Sequence, residues 1–529
     1  RGRMVAEAHG EARPVVRNDT EDGRELNRRV EIYGMTAEVR RARLYEVFHG
    51  AATARVGGLE VPVDSAGRFA CRVPMTGHDT VEVALTNRLG RSAIARLRMP
   101  KLEILEPSGQ LMMPFGESAD GVRVELASGA RVIVERDTAN PVVNVRAAWL
   151  GGLRGEPAPM AGAMQMCTSL LSKGTERTSG PAIAETMDAM AGHVGGFAGR
   201  NSFGMRGTFL KEHVDRGLAL FFECMKSATF AADELERQRA LVLEELRTRF
   251  DSPAGLAFDL FSRTMWLEHP YRRDLLGTPA SVAALTSDGL RAFWRARATP
   301  KGSAIVFVGD IDPDDAVDMV EELFGDGTGA HSTLELAPRE PAPTAPRVAR
   351  QVRERAQAHL LTGVRGLTLD DPDRHALEVL SSTLSGQGGR LFLELRDKQS
   401  LCYSVSASAV DGLDPGSFAV YMGTSPDKVE RAIAGIDALL AQVVEGGITA
   451  DELDRTKRYL AGSHDIGLQR LGARATSMAL NEIYGLGYLA HRETPAKIAA
   501  VTLEDVRRVA ARVLTGPRVT AIVGPEGTG

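Results

Sequence analysis

Two short stretches of this chain occur twice at nearly one spacing, and that constrains the fold more than any other feature. Ala232-Asp233-Glu234-Leu235-Glu236-Arg237 returns as Ala450-Asp451-Glu452-Leu453-Asp454-Arg455. Val282-Ala283-Ala284-Leu285-Thr286 returns as Ile498-Ala499-Ala500-Val501-Thr502. The step from Asp233 to Asp451 and the step from Thr286 to Thr502 are almost equal. Agreement between the two offsets implies a duplicated domain of roughly 200 residues. In each copy the threonine is placed to cap the helix that follows, because its hydroxyl can accept an otherwise orphaned backbone N–H. A terminal strand then closes each copy, at 304–308 and 519–523.

The rest of the chain divides around that repeat. Val122–Leu126 and Arg131–Glu135 flank Ser128-Gly129 and predict a hairpin, with a third strand over Val142–Leu150. Helical periodicity follows, including Asp233–Phe250, and a connector from Ala337 to Pro346 with four prolines separates the halves. Before the repeat, residues from about 35 to 100 alternate in short runs: Leu59–Val63, Phe69–Val73 and Val81–Leu85. Asp64-Ser65-Ala66-Gly67 and Asn87-Arg88-Leu89-Gly90 supply turn residues between them. The expected segments are 1–34, 35–106, 107–336, a linker at 337–350, and 351–527. The fold class is α+β, preceded by a small all-β domain.

Composition excludes several functions. Lys and Arg number 64 against 69 Asp and Glu in 529 residues, and no basic run tracks a phosphate backbone, so nucleic acid is not an expected partner. No stretch approaches the roughly 20 apolar residues that span a bilayer as a helix. Cys71, Cys167, Cys224 and Cys402 lie far apart without CxxC spacing, which predicts free thiols, not a metal knuckle or disulfide scaffold. The chain starts at Arg1 with no visible signal peptide and is expected to be a fragment of a longer protein.

Residues from about 121 to 527 resemble the insulinase/pitrilysin-like metallopeptidases. The resemblance rests on Lys173-Gly174-Thr175-Glu176-Arg177, Leu243–Leu246, His269-Pro270-Tyr271, Leu276-Gly277-Thr278 and Val308-Gly309-Asp310. Its strongest part runs from Gly388-Gly389-Arg390-Leu391-Phe392 through Leu395-Arg396 to Leu401-Cys402-Tyr403-Ser404-Val405. It implies two similar domains, each a mainly antiparallel sheet with helices on one face, facing each other across a cavity as half of a clamshell. The family carries His-x-x-Glu-His on a helix, where two histidines hold zinc and the glutamate activates its water. Here those places read Gln165, Thr168 and Ser169. An amide and two hydroxyls are poor zinc ligands, and neither hydroxyl is a general base near neutral pH. The family's third ligand, a glutamate far downstream of the second histidine, corresponds to Glu244 or Glu245. One carboxylate cannot hold catalytic zinc, so no metal is expected here and the glutamates read as a solvated or ion-paired helix pair. His193, in a loop-like glycine cluster, and His269 are expected to be structural.

Two further features of the resemblance bear on substrate. The family often has an Asn-Ala pair on a strand where peptide adds as a further strand. This chain has Gly195-Gly196-Phe197-Ala198-Gly199, with glycine at the asparagine place, which weakens that edge. Arg396 and Tyr403, seven residues apart, match the arginine–tyrosine pair that reaches from the C-terminal domain toward the zinc of an opposing active site. Both are donors, suited to a substrate carbonyl and its oxyanion. The Ser385–Gly389 run lacks the Gly-Lys-Ser/Thr ending of a phosphate loop and is expected to be a turn before a helix over Arg390–Arg396. In the head, residues 10–32 resemble the closing segment of an OmpA-like domain, and 35–106 an immunoglobulin-like one. These imply the periplasm or outer membrane of a Gram-negative cell envelope, with peptidoglycan a partner only through a missing upstream region. The combined expectation is a non-catalytic subunit that supplies Arg396 and Tyr403 to a zinc-bearing partner for peptide hydrolysis. The alternatives are an envelope scaffold or peptide-binding module, or a hydrolase with unusual ligands.

Overall fold

The computed structural model describes strands within 3–9, 29–35, 51–56, 59–61, 69–74, 80–87 and 92–98, and residues 121–249, 251–324, 337–354 and 356–526. The chain divides into two compact units, 1–114 and 115–529. In the first, strands β1 (Arg3–His9), β2 (Arg29–Met35), β3 (Ala51–Val56), β4 (Leu59–Val61), β5 (Phe69–Pro74), β6 (Thr80–Asn87) and β7 (Ser92–Arg98) form two antiparallel sheets. Their orders are β1-β2-β5 and β4-β3-β6-β7. Strand β2 crosses residue 34 and pairs Gly34 with Phe69, so the two expected head segments share a sheet. The turn residues 64–67 and 88–90 lie outside the described residues.

The second unit carries the duplication. Its first half contains β8 (Val122–Glu125), β9 (Arg131–Arg136), β10 (Val142–Leu150), α1 (Ala163–Leu170), α2 (Gly180–Ala189), β11 (His193–Ala198) and β12 (Ser202–Leu210). It continues through α3 (Val214–Ser227), α4 (Ala232–Arg249), α5 (Pro253–Met265), α6 (Pro279–Ala284), α7 (Ser287–Arg297), β13 (Ala304–Gly309) and α8 (Pro313–Phe324). The second half contains β14 (Arg347–Val352), β15 (Ala358–Arg365), α9 (Arg374–Leu384), β16 (Cys402–Val410), β17 (Ser417–Thr424) and α10 (Val429–Gly446). It ends with α11 (Ala450–Leu468), α12 (Leu471–Ile483), α13 (Ala490–Ala500), α14 (Leu503–Leu514) and β18 (Val519–Gly524).

The sheets are ordered β11-β12-β10-β13-β9-β8 and β14-β18-β15-β17-β16. Without β8 they have one topology, in which the terminal strand runs parallel to the first (β13 to β9, β18 to β14) while the other pairs are antiparallel. Thr286 and Thr502 cap α7 and α14, accepting N–H from Gly289 and Asp505. Each sheet buries alternate residues against helices of its own half. In β10 these are Val143, Val145, Ala147 and Trp149, packed with Met164 of α1 and Leu218 and Phe221 of α3. Strands β13 and β18 are buried along their whole length, as expected for near-continuous apolar runs covered on both faces.

The second covering comes from the opposite half. Helix α5, from the first half, lays Leu256, Ala257, Phe261 and Met265 on Leu361, Val519, Ala521 and Val523. Helix α12, from the second, lays Ala475, Met478, Ala479 and Ile483 on Ile133, Ala148, Ala304 and Val306. Burying these faces removes apolar surface of both halves from water, which favours their association. Ion pairs line the seam: buried Glu135 accepts from Arg474 and Arg492 at 2.7 and 2.8 Å, and Glu482 accepts from Arg123 at 2.8 Å. The connector is fastened as well. Glu340 accepts from the N–H groups of Leu267, Glu268 and His269 at 2.8, 2.9 and 2.7 Å. Pairing resumes at Arg347 in β14, inside the stretch 337–350 expected as linker, because the last proline is Pro346 and backbone N–H groups become available beyond it.

Candidate functional site

Helix α1 begins at Gly162, whose φ of 88° places it in the left-handed region that glycine tolerates. The buried Glu156 carboxylate accepts from the Gly162 and Met164 N–H groups at 3.0 and 2.7 Å, satisfying two donors of the helix start. Burial pushes the Glu156 carboxyl up to about 7, against the opposing pull of those two hydrogen bonds and of Arg273 and Arg297. Met164, Met166, Cys167 and Leu170 face the core.

The structure brings Gln165, Thr168 and Ser169 together on α1. The Thr168 hydroxyl donates to the carbonyls of Met164 and Gln165 at 3.0 and 3.1 Å, and Ser169 donates to Gln165 O at 2.8 Å. Both hydroxyls are thus turned back on their own helix. Gly196 of β11 abuts the same turn, where a Cβ would lie 2.1 Å from the Thr168 carbonyl oxygen. Glycine is required at this close approach. The run around His193, expected as a loop, is therefore a strand, held by pairing with β12 from His193–Thr208 to Ala198–Phe203.

Helix α4 packs against α1 and carries Glu244 and Glu245, both exposed. Glu244 accepts from Arg247 at 2.7 and 2.9 Å, and this hydrogen-bonded guanidinium holds its carboxyl below the usual range. His269 is buried elsewhere, with Nε2 3.0 Å from Asp414. Among the described residues no three His, Cys, Asp or Glu side chains converge on a point that could hold a metal ion. An amide, two self-bonded hydroxyls and an arginine-paired carboxylate do not fit zinc.

Arg396 and Tyr403 do come together. The glycine-rich turn leads into a helix whose residues Phe392–Lys398 are wound as a π-helix, so the helix expected over Arg390–Arg396 is wider than the α form. Arg390 anchors its start with two bonds to Glu452, at 2.7 and 2.6 Å. Ser400 closes the segment at φ 50°, a left-handed conformation costly for a non-glycine residue. Pairing between β16 and β17 then slips between Cys402 and Ser404, leaving Tyr403 as the extra residue of a bulge. Tyr403 is 76% exposed as a result. The Arg396 guanidinium lies 4.3 Å from the Phe392 ring centre and 5.3 Å from that of Tyr403. A π-helix, a strained residue and a bulge in close succession present one cation and one phenol side by side.

A third cluster was not legible in the sequence. Asp414, from the β16–β17 connection, accepts from Arg154 at 3.1 Å through one oxygen, lies 3.0 Å from His269 Nε2 through the other, and is 3.5 Å from Arg339. Arg154 and His269 belong to the first half and Asp414 to the second, so this buried cluster ties the halves together. The His269-Pro270-Tyr271 motif was its only sequence signal.

Comparison with known proteins agrees with this architecture. Residues 131–279 match the family model described as insulinase (peptidase family M16), and residues 284–460 match the peptidase M16 inactive domain. The chain is 31% identical over 415 residues to an uncharacterized zinc protease of Streptomyces coelicolor, covering 76% of this chain and 89% of that one. It is 30% identical to an uncharacterized zinc protease of Mycobacterium tuberculosis, covering 77% and 93%. In fold it is similar to a peptidase M16 inactive domain from Pseudomonas fluorescens, with a TM-score of 0.71 and 23% identity over 77% of this chain and 98% of that one. Fold and matches define a two-domain metallopeptidase homologue. The chain belongs to the insulinase family, peptidase family M16.

Proposed function

We propose that this chain is a non-catalytic subunit of an M16-type peptidase, supplying Arg396 and Tyr403 to the active site of a zinc-bearing partner. One observation carries the reading. The places of the metal ligands hold Gln165, Thr168 and Ser169, with both hydroxyls bonded to their own helix, while the arginine–tyrosine pair is presented by an elaborate local geometry. Zinc and its activated water would come from the partner. In the joint site Arg396 binds the substrate carbonyl, and the Tyr403 hydroxyl donates to the oxygen that gains charge as water adds. The head residues resembling OmpA-like and immunoglobulin-like segments support placement in the periplasm or at the outer membrane of a Gram-negative envelope.

Reconstitution with a zinc-bearing relative tests this reading. Tyr403→Phe is expected to lower kcat on a peptide substrate by on the order of 100-fold with a smaller effect on KM, since its bond strengthens as the oxyanion forms. Unchanged turnover in both Tyr403→Phe and Arg396→Ala would leave the chain a scaffold or peptide-binding module. Elemental analysis of the isolated chain, purified without chelator, should find far less than one zinc per chain. A full equivalent would restore the hydrolase reading.

A further inference from the structure

The face of the first sheet that meets the second half carries a charge arrangement that the fold leaves uncompensated. Arg146 of β10 and Arg206 of β12 are direct cross-strand partners, so their side chains leave the same face. Arg146 is half-buried and Arg206 is exposed. Like charges in that position repel, and a partly buried charge is ordinarily paired. Among the described residues neither arginine forms an ion pair. The Arg146 guanidinium sits 4.6 Å from the Phe197 ring centre and donates to the Thr476 hydroxyl of α12. Burial, and then Arg206, pull its pKa down to about 10, with no carboxylate acting in the other direction. Several other arginines of the same half are bonded to protein groups. In the cavity of about 320 Å³ between α4, α5 and the 272–279 loop, Arg249 pairs with Asp274 and Arg263 with Asp259, while Arg273 donates to the Glu156 carbonyl.

The row continues to the outer strand. Gly195 of β11 is the register partner of Arg206, and β11 is the last strand of its sheet. Glycine itself puts no side chain between Arg206 and whatever lies outside β11, and its place is left to the His193 ring from two residues earlier on the same face. The atoms nearest the vacant Cβ position belong to the His193 ring, at 3.2 and 3.7 Å. A strand added along β11 would run about 10 Å from β12, two strand spacings away. An arginine and a glutamate side chain reaching toward each other can bridge that gap.

We propose that Arg146 and Arg206 select peptides with an acidic side chain opposite Gly195, the ligand's carboxylate supplying the counter-charge that neither arginine finds among the described residues. This rests on the reading that the molecule handles peptides, but it requires neither the partner subunit nor turnover. The glycine at the family's asparagine place then has a use. It gives up a backbone-anchoring side chain and leaves the His193 ring as the neighbour that an acidic side chain must pass to reach the arginines.

The test is fluorescence polarisation with the full chain and a fluorescein-labelled heptapeptide, Ala-Glu-Val-Glu-Val-Glu-Ala, against its Gln-for-Glu counterpart. A charge-assisted contact predicts that the acidic peptide binds on the order of 10-fold more tightly or better. That preference should vanish in Arg206→Gln and in Arg146→Met, which keeps a long apolar stem over Phe197, and persist in Arg206→Lys. Melting temperatures of the variants establish that each is folded. Equal affinity for the two peptides, or a preference unchanged in the variants, overturns the proposal. So does inorganic phosphate binding as tightly as the acidic peptide, which would make the pair a site for a free anion. Failure of the partner reading would leave this binding result untouched, and failure here would leave a Tyr403 effect in the reconstituted enzyme untouched.

Discussion

Glu156 offers a direct test of how helix α1 is held. The carboxylate is 4% exposed and receives the Gly162 and Met164 N–H groups, yet burial raises its pKa to about 7 from the usual 4.5. Between those values the folded chain holds a proton that the unfolded chain has released. Stability therefore falls as pH rises, by roughly 1.4 kcal/mol per unit and about 3 kcal/mol in all. The contribution is fully present below the unfolded pKa and is lost as pH passes the folded one. Glu156→Gln removes the titration while retaining an oxygen that can accept from the helix start. Urea unfolding of both proteins from pH 5 to 8, followed by fluorescence of Trp149, Trp266 and Trp294, isolates the effect. Wild type should lose about 2.5 kcal/mol relative to the variant over that range. Parallel stability curves would show that the carboxyl titrates alike in both states, and would refute the burial argument.

Two further perturbations probe the architecture. Glu135→Gln removes the buried carboxylate, 1% exposed at its side chain, that Arg474 and Arg492 share, while Arg474 keeps Asp137, and should cost about 1–3 kcal/mol, read as a lowered Tm and faster proteolysis between the halves. A change confined to a few tenths would mean that the Glu135 pairs contribute little to the docking of α12. Gly196→Ala drives a methyl to 2.1 Å from the Thr168 carbonyl and should destabilise by about 1–3 kcal/mol, with hydrogen exchange rising in both β11 and α1. Exchange unchanged in α1 would place the strand farther from the helix than described.

Much of this molecule was legible from local signals. The duplication appeared in two short repeated stretches, and the two sheets have the matching topology those stretches imply. Thr286 and Thr502 were readable as caps because a cap needs only the residue and the three that follow it. The His193 stretch misled for a physical reason. Glycine clusters signal loops when they supply backbone freedom, whereas Gly196 is there for the close approach of helix α1, from an earlier part of the chain. Asp414 gave no signal, since its partners Arg154 and His269 are 260 and 145 residues away.

The sequence alone determined which residue types stand at the family's ligand places and what the chain repeats. Residue types at 165, 168 and 169 keep histidine ligands out of those three places however the chain folds, because ligand chemistry belongs to the side chain. Periodicity and caps set the elements, because their hydrogen bonds close within a few residues. Tertiary structure decided the rest. It exchanged α5 and α12 between the halves, turned Tyr403 outward on a bulge beside Arg396, and set Arg146 against Arg206 with no ion pair to either among the described residues. Each of these depends on strand register or on contacts between distant segments, and both are settled only when the apolar faces of the two halves are buried together.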